Sequence, residues 1–473
     1  TQSSTIGTQY PHAVGIAQGI ALDGGDGVVV VYGGEGSTSE GDWHEAMNWA
    51  GIHRLPIIFI IENKGYAISV PTGEEVAGRI YDRAKGYGID GVLIDGNDPL
   101  GVYAAMTKAV ERARNGDGPT LIEAETYRYY AHTSDDDDRL YRSREEVDQW
   151  RRNDPVITMK QYLIEERLLS DPREVEIERE VERVLAQAVE EAEAAPEPDE
   201  PTTRVYAREP DVPEPATQVE PPPSGPEVNL ITAVNRALDE VLAANDRALI
   251  FGEDVGGRKG GVFKATQGLT ERYGEDRCFN TPLAEASIIG SAVGLAAYGM
   301  YPLPEIQFAD YIHPAFDQIV SEVARIHYRS NGRWSVPMVI RTPYGAGIPG
   351  ALSHSQSIEA FYTPGPGLQV VVPSTPADVK GLLLGAVNDP DPVLFLEPKK
   401  LYRLAKGPYP EGDHIVPLGR AALRRAGSDV TIIAYGAMAH FSVEAADLLE
   451  AEGIDAEVID LRSLKPLDWP TIE

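Results

Sequence analysis

The sequence predicts an α/β protein built from parallel sheets with helices on both faces. In the first part of the chain, short runs of β-branched and apolar residues alternate with stretches of helical periodicity. The runs are apolar throughout, which is typical of strands buried on both faces. The same alternation begins again after residue 229. Since parallel sheets bind ligands at the carboxyl ends of their strands, we expect the functional residues in the loops that follow the strands.

The predicted elements of the first part follow one another regularly. They are a strand over 27–32, a helix over 42–53, a strand over 55–61, a strand over 91–94, a helix over 99–114 and a strand over 119–124. From 154 to 194 the pattern becomes helical and highly charged, and from about 196 to 227 the chain is rich in Pro, Glu, Asp and Thr. That composition buries too little apolar area to offset the entropy of ordering, so the last stretch predicts an extended linker.

A second α/β unit begins at Asn229 with an amphipathic helix, and a third begins after residue 412. The third unit contains a strand pattern (DVTIIAYG), a helix over 438–452 and a second strand pattern (DAEVIDL). Because a stable parallel sheet usually has more strands, we expect the chain to end inside a domain.

The composition of the 473 residues argues against several partners. With 42 Lys and Arg against 74 Asp and Glu, the net charge is −32, and such a surface repels nucleic acids and anionic lipids. The acidity serves either solubility or attraction to a basic partner. No apolar run approaches the ~20 residues of a membrane span, and the first residues lack the pattern of a signal peptide. Cys278, the only cysteine, is expected in the core, and a cytoplasmic enzyme is the expectation.

A glycine-rich turn at 33–36 follows the first strand and precedes a helix. The backbone N–H groups of such a turn, together with the positive end of the helix, suit a diphosphate. Glu35 lies inside the turn, and Asn63 and Tyr66 follow the next strand, so we expect oxygen donors at the ends of neighbouring strands. Oxygen donors beside a diphosphate suit magnesium. The alternative is that the glycines only form a tight turn.

The stretch from 33 to 66 resembles the thiamine diphosphate motif, which opens with Gly-Asp-Gly or Gly-Glu-Gly and closes on Asn-Asn after the next strand. The strings SEGDWHEAMNWA and YAISVPT resemble the alpha subunits of the decarboxylating component of 2-oxoacid dehydrogenase complexes. This resemblance implies that the cofactor is bound by Gly34, Glu35, Gly36 and Ser37.

One position departs from the family's magnesium ligands, which are the acid of the turn, the second Asn and a later backbone carbonyl. In this chain those positions are Glu35, Lys64 and Tyr66. A protonated Lys has three donors and no acceptor, so it cannot bind a cation. Either Asn63 or a water replaces it, or the Lys charge substitutes for part of the metal's charge, or metal affinity is impaired. We expect a retained site formed by Glu35, Asn63 and Tyr66.

Residues 127–142 read YRYYAHTSDDDDRLYR. By composition alone they predict a solvated loop or an acidic helix start. The string resembles the family's loop with Tyr-Arg, a catalytic His, a hydroxyl residue and an Asp pair, which implies that His132 is an active-site histidine. Arg128 and the acids at 136–137 would hold the loop. Thr133 stands where some relatives carry a regulatory phosphoserine, and a structural hydroxyl is the expectation here.

The string NTPLAE at 280–285 precedes an apolar, glycine-rich helix. A lone Glu there is usually a cap that complements the helix dipole. The segment resembles the beta subunits of the same family, which implies that Glu285 bonds the aminopyrimidine of the cofactor as a general acid. EIQFADYIHPAF and ALSHSQSIEAF extend the resemblance and imply His354 as the second active-site histidine, with Gln307 and Tyr311 facing the cofactor or substrate.

The first residues, SSTIGTQYPHAVG, are similar to a family segment that contacts the cofactor and a potassium ion. The resemblance assigns Ser4 and Ile6 to the cofactor and Ser3, Thr8 and Gln9 to potassium. Relative to the family, the part upstream of this segment and most of the last domain are missing, so we expect an incomplete catalyst.

The resemblance implies a thiamine diphosphate-binding fold and a transketolase C-terminal-like α/β domain. The domains are 1–195 (alpha-type, binding diphosphate and magnesium, with a helical extension), 196–227 (linker), 228–405 (beta-type, binding the pyrimidine) and 406–473 (transketolase C-terminal-like).

The implied activity is oxidative decarboxylation of a 2-oxo acid with acylation of a lipoyl group on an acyltransferase partner. His132 would position the substrate, and His354 would protonate the lipoyl sulfur. We expect at least a homodimer, and a substrate of the branched-chain type (3-methyl-2-oxobutanoate) more than pyruvate. The alternatives are a cofactor-incompetent structural subunit and a transketolase-like ketol transferase, although the latter group lacks the loop around His132 and the HSQS string.

Overall fold

A computed structural model describes residues 3–197, residue 200 and residues 202–473. The chain divides into two compact units. The small unit contains residues 26–203, and the large unit contains the residues up to 25 together with residues 204–473. The sequence assigned the first 25 residues to the alpha-type domain, whereas the structure groups them with the large unit because their helix packs on a helix of that unit.

The elements up to residue 203 match the predicted order. The helices are α1 (Gln9–Leu22), α2 (Gly41–His53), α3 (Thr72–Glu75), α4 (Pro99–Arg114), α5 (Arg144–Arg151), α6 (Pro155–Glu165) and α7 (Asp171–Glu193). The strands are β1 (Val29–Gly34), β2 (Ile57–Asn63), β3 (Tyr66–Ala67), β4 (Val70–Pro71), β5 (Asp90–Asp95) and β6 (Thr120–Glu125). The four predicted strands and both predicted helices are confirmed.

The sheet of the small unit has the order β1-β2-β6-β5, and all of its strand pairs are parallel. Its apolar centre includes Ile58, Ile60 and Ile122, which pack with Ala109 of α4. In the register of β1 and β2, Gly34 lies opposite Glu62. The carboxyl ends of these strands therefore lie side by side, and the loops that leave them begin at neighbouring positions.

The remaining elements belong to the large unit. The helices are α8 (Leu230–Ala244), α9 (Leu269–Tyr273), α10 (Glu285–Tyr298), α11 (Ile326–Arg329), α12 (Glu359–Tyr362), α13 (Pro376–Val387), α14 (Leu401–Leu404), α15 (Ala437–Ala451) and α16 (Trp469–Ile472). The strands are β7 (Glu227–Asn229), β8 (Ala248–Gly252), β9 (Cys278–Asn280), β10 (Tyr301–Glu305), β11 (Val339–Tyr344), β12 (Gln369–Val371), β13 (Val393–Pro398), β14 (Lys406–Pro408), β15 (Ala422–Arg425), β16 (Val430–Ala434), β17 (Ala456–Asp460) and β18 (Ser463–Lys465).

The main sheet of the large unit has the order β18-β12-β13-β11-β10-β8-β9. Only β18 is antiparallel to its neighbour. The last part of the chain forms a further sheet in the order β15-β17-β16, in which β16 and β17 are parallel and α15 connects them. The predicted strand, helix and strand are confirmed there, and β15 adds a third, antiparallel strand. Cys278 is fully buried, as predicted.

Helix α10 lies in the core of the large unit, since every residue from 286 to 296 is buried. Helix α1 packs directly on it. A Cβ atom on Gly15 would lie 2.0 Å from the Ser291 carbonyl oxygen, and one on Gly294 would lie 1.9 Å from the His12 carbonyl oxygen. Because only glycine permits so close an approach of two backbones, these two residues fix the contact of α1 with α10.

The predicted linker is in contact with the large unit. Its described residues before β7 (196–197, 200 and 202–226) contain turns and irregular backbone but no helix or strand. Glu220 forms an ion pair with the buried Arg462 (Oε1 to Nη2, 3.0 Å), and Asp391 accepts hydrogen bonds from the backbone N–H groups of Ala207 and Arg208 (2.7 and 2.9 Å). The acids and backbone of this stretch thus bind it to the large unit. None of the helices in the described part of the chain has the length and apolarity of a membrane span.

Candidate active-site residues

The glycine turn after β1 presents one acid from a buried position. Glu35 begins a short 3-10 helix (Glu35–Ser39) and is only 2% exposed. Its Oε2 accepts a hydrogen bond from the backbone N–H of Lys64 (3.1 Å), whereas its Oε1 is buried without a hydrogen-bond partner. Ser37 closes the turn by donating to the Gly34 carbonyl oxygen (2.6 Å). A buried acceptor of this kind suits a bound cation or donor.

Gly36 lies in a closely packed position. A Cβ atom there would lie 2.9 Å from Oε1 of Glu75 and 3.0 Å from the Cβ of Ala67. Both neighbours belong to the segment that follows β2. The glycine turn and that segment are therefore in direct contact, as the motif at 33–66 requires.

The residues after β2 use most of their polar groups inside the fold. Asn63 Oδ1 accepts hydrogen bonds from the N–H of Gly65 (3.2 Å) and the hydroxyl of Thr72 (3.1 Å). Lys64 Nζ lies 2.7 Å from Glu62 Oε2. The carbonyl oxygen of Tyr66 accepts a hydrogen bond from Arg128 Nη1 (3.3 Å). The replacement of Lys64 by Asn63 as a metal ligand stays a prediction. A metal at Asn63 Oδ1 would compete with both of these hydrogen bonds.

The loop of His132 follows β6, next to β2 in the sheet. The His132 side chain is exposed, while its backbone N–H donates to Asp136 Oδ2 (2.8 Å), which also accepts from the Tyr141 hydroxyl (2.6 Å). The Tyr141 hydroxyl, and after it the His132 amide, lower the pKa of Asp136. Arg128 Nη2 donates to the Ile68 carbonyl oxygen (2.7 Å). Arg128 therefore holds this loop against the segment after β2, and Asp136 fixes its internal shape.

In the large unit, two acids lie near each other at strand and helix ends. Glu285 is the first residue of α10, and Glu253 directly follows β8, with a buried Oε1 that has no hydrogen-bond partner. Burial, and then the charges of Glu285 and Asp254, raise the pKa of Glu253 to about 7. Gln307 donates to Asp254 Oδ2 (3.1 Å). Glu253 was not predicted from the sequence, although an acid directly after a buried strand is a usable signal.

The second predicted histidine is held by a tyrosine. The Tyr311 hydroxyl lies 2.7 Å from His354 Nε2, and His354 Nδ1 lies 3.3 Å from the Gly350 carbonyl oxygen. Since a carbonyl only accepts, Nδ1 carries the proton in the neutral ring and Nε2 accepts from Tyr311. The ring of Phe308 packs edge-on against the imidazole (centroids 4.8 Å apart).

A buried lysine beside this histidine was also missed. Lys399 is 4% exposed, its Nζ has no hydrogen-bond partner, and burial lowers its pKa to about 8 against the opposing charge of Asp310. Nζ lies 5.6 Å from the ring centroid of Phe308. Asp310 Oδ1 accepts from the N–H groups of Ser355 and Gln356 (3.0 and 3.1 Å), directly after His354. A lysine just after a strand gave no sign of burial in the sequence.

The residues assigned to potassium lie in the large unit, around a carboxylate. Ser3 and Thr8 donate to Glu322 Oε1 (2.5 and 3.4 Å), and Glu322 also pairs with Arg329. Gln9 begins α1. The other two predicted residues of this segment, at positions 4 and 6, are exposed. Among the described residues, no group of three or more His, Cys, Asp and Glu side chains is arranged to hold a metal.

Three family models match successive parts of the chain. The family described as "Dehydrogenase E1 component" matches residues 1–200, "Transketolase, pyrimidine binding domain" matches 226–405, and "Transketolase, C-terminal domain" matches 419–473. A transketolase structure from Pichia stipitis covers 98% of this chain and 71% of its own, with a TM-score of 0.64 and 17% identity. At that identity the likeness shows the fold alone.

Two of the curated relatives each match about half of the chain. The 2-oxoisovalerate dehydrogenase subunit beta of Bacillus subtilis is 54% identical over 245 residues, which are 52% of this chain and 75% of the relative. The pyruvate dehydrogenase E1 component subunit beta of the same organism is 48% identical over 246 residues, again 52% and 75%.

Together the fold and the domain types define an enzyme of the thiamine diphosphate-dependent, transketolase-like class. Within that class, the chain belongs to the dehydrogenase E1 component family, with alpha-type and beta-type parts in one polypeptide. It is therefore the E1 component of a 2-oxoacid dehydrogenase.

Proposed function

We propose that the chain decarboxylates a branched-chain 2-oxo acid and transfers the resulting acyl group to a lipoyl group of an acyltransferase partner. The observation that carries the proposal is the presence, in one polypeptide, of the buried acid of the glycine turn (Glu35) and of the pair Tyr311–His354. The choice of a branched substrate rests on the HSQS string and on the 54% identity to a 2-oxoisovalerate dehydrogenase subunit.

The residues of the small unit fit a diphosphate with its cation. The free Oε1 of Glu35 supports this assignment, because a buried carboxylate oxygen without a partner is costly unless a ligand satisfies it. The diphosphate and magnesium would be held by Gly34, Glu35, Gly36 and Ser37, with Asn63 and Tyr66 as the remaining magnesium candidates. When bound, thiamine diphosphate supplies the nucleophilic carbon and the electron sink that decarboxylation of a 2-oxo acid requires.

The large unit carries the residues that we propose for the aminopyrimidine and for a second cation. Glu285 would bond the ring nitrogen of the aminopyrimidine through its carboxyl group, and Ser4, Ile6, Gln307 and Tyr311 would line the cofactor. Potassium would be held by Ser3, Thr8 and Gln9. Ser3 and Thr8 converge on the Glu322 carboxylate, whose charge is paired with Arg329.

The two histidines have different environments and therefore different roles. His132, on an exposed loop fixed through its backbone, would position the carboxylate end of the substrate. His354 is held at both ring nitrogens, and as an imidazolium it would deliver a proton to the lipoyl sulfur that is released as thiolate when the lipoyl disulfide opens. We further propose that the chain acts as at least a homodimer, which mass measurement of the active species tests.

Steady-state decarboxylation with an artificial electron acceptor tests the proposal. With thiamine diphosphate and magnesium, we expect kcat/KM for 3-methyl-2-oxobutanoate to exceed that for pyruvate. The reverse order would contradict the branched-chain assignment, and ketol transfer from xylulose 5-phosphate without 2-oxo acid turnover would contradict the reaction class.

A second candidate, a cofactor-incompetent structural subunit, is favoured by one observation. Lys64 occupies the position of a magnesium ligand, and its ammonium pairs with Glu62 instead. Calorimetric titration of the folded chain with thiamine diphosphate and magnesium separates the two candidates, because only the enzyme is expected to release or absorb heat of binding.

A further inference from the structure

The side chains of the Asn-Lys pair, Asn63 and Lys64, offer no free oxygen to a cation. Lys64 has only donors, and its Nζ lies 2.7 Å from Glu62 Oε2. Asn63 Oδ1 already accepts from Gly65 N–H and from the Thr72 hydroxyl. A cation at the glycine turn therefore needs an oxygen from elsewhere.

A second carboxylate, that of Glu75, lies beside the glycine turn. Glu75 Oε2 is a buried atom without a hydrogen-bond partner, as is Oε1 of the almost fully buried Glu35. The other oxygen of Glu75 lies against Gly36, where a Cβ atom would be only 2.9 Å away. Two carboxylates close together repel each other, so a cation between them is the arrangement that satisfies both.

The local fold explains how Glu75 reaches the turn. Glu75 is the last residue of the short helix α3, which begins at Thr72. Thr72 is anchored twice, because its N–H donates to the Gly65 carbonyl oxygen (2.9 Å) and its hydroxyl donates to Asn63 Oδ1 (3.1 Å). The side-chain amide of Asn63, at the end of β2, thus holds the helix that presents Glu75.

We propose that Glu75 is a ligand of the divalent cation, together with Glu35, in place of the oxygen that Lys64 lacks. The inference rests on the proposed function, since it assigns a ligand to the cation of that site. Magnesium is commonly held by one or two carboxylates, with phosphate oxygens and waters completing the octahedron, and this requirement matches two acids and a diphosphate.

Binding of Mn²⁺, followed by the electron paramagnetic resonance signal of the free ion in the presence of thiamine diphosphate, tests the inference without any turnover. We expect Glu75→Gln to weaken Mn²⁺ binding by about 10- to 100-fold or more, the range found when groups supporting a metal are removed. The matched control is Glu74→Gln, which removes the same charge from the exposed neighbouring residue and should leave Mn²⁺ affinity unchanged.

A rescue variant separates a ligand from a merely structural acid. In the Glu75→Gln background, Lys64→Asn supplies a side-chain oxygen and should restore much of the Mn²⁺ affinity, with circular dichroism confirming that each variant is folded. If the unmodified chain binds Mn²⁺ and Glu75→Gln binds it equally well, the inference fails while the proposed function stands. If the unmodified chain binds neither Mn²⁺ nor thiamine diphosphate, both fail.

Discussion

The small and large units differ in the groups that they bury near their functional candidates. In the small unit the groups lie on loops after the strands: His132 is exposed, and the buried oxygen of Glu35 has no partner within the protein. In the large unit Glu253 and Lys399 are buried ionisable groups with strongly shifted pKa values, each beside a predicted catalytic residue. Buried polar atoms without a partner therefore occur in both units, and in the large unit they belong to ionisable groups with strongly shifted pKa values.

This difference bears on stability as well as on chemistry. A buried ionisable group without a full set of partners costs stability, and such groups are concentrated at functional sites. We therefore expect substitutions in the large unit to change catalysis or raise stability, and those in the small unit to act mainly through ligand binding.

The largest effect is expected from Glu285→Gln. An amide cannot serve as an acid at the aminopyrimidine, so decarboxylation should fall by about 10²–10⁴-fold, while the unfolding midpoint changes little. Glu275→Gln, at an exposed acid of the same unit, is the control. Retention of full activity by Glu285→Gln would remove this residue from the mechanism.

The next effect concerns the histidine of the large unit. We expect His354→Ala to reduce acylation of a lipoyl domain by about 10²–10³-fold and decarboxylation with an artificial acceptor much less. Tyr311→Phe, which removes the hydroxyl bonded to Nε2, should show the same pattern more weakly. The assignment is wrong if acyl transfer is unchanged while decarboxylation falls.

Lys399→Met is expected to stabilise the protein. The pKa of Lys399 is about 8 in the fold and 10.5 ordinarily, so the folded state disfavours the ammonium, and this penalty is complete below pH 8 and vanishes above about 10.5. At pH 7 the free energy of unfolding should rise by about 1–3 kcal/mol. Chemical denaturation at pH 7 and pH 10 measures the difference, with exposed Lys400→Met as the control. A loss of stability at pH 7 would show that the ammonium has a partner in the fold.

The smallest effect on stability is expected in the small unit, from Asp136→Asn. The lowered pKa of Asp136 means that its contacts stabilise the His132 loop above the ordinary pKa and are lost as the pH falls through the folded value. We expect the unfolding midpoint to stay constant, the loop to become more sensitive to proteolysis, and activity to fall about tenfold through misplacement of His132. An unchanged proteolysis pattern would show that contacts other than those of Asp136, such as those of Arg128 and Arg142, hold the loop.

The sequence predicted local features well and non-local ones poorly. The bounds of β1, β2 and α4 follow from periodicity within a few residues. The sequence did not predict that α1 belongs to the large unit, because its partner α10 lies more than 260 residues later. The linker was judged by composition, which does not reveal that Glu220 meets Arg462.

The functional residues show the same difference between local and non-local features. From the residues alone, only the diphosphate turn with its cation was inferred, and Glu285, His132 and His354 required the resemblance. Glu75 and Lys399 were missed, since a charged residue in a polar stretch predicts exposure, and only the tertiary fold shows that their polar atoms are buried.

The most direct test of the proposed acyl transfer is to measure the mass of a lipoyl domain from a branched-chain acyltransferase component. It would be incubated with the chain, thiamine diphosphate, magnesium and 3-methyl-2-oxobutanoate. We expect the lipoyl domain to gain one 2-methylpropanoyl group, and we expect no gain with Glu285→Gln. A lipoyl domain of unchanged mass, with a folded chain that binds thiamine diphosphate, would contradict the proposed acyl transfer.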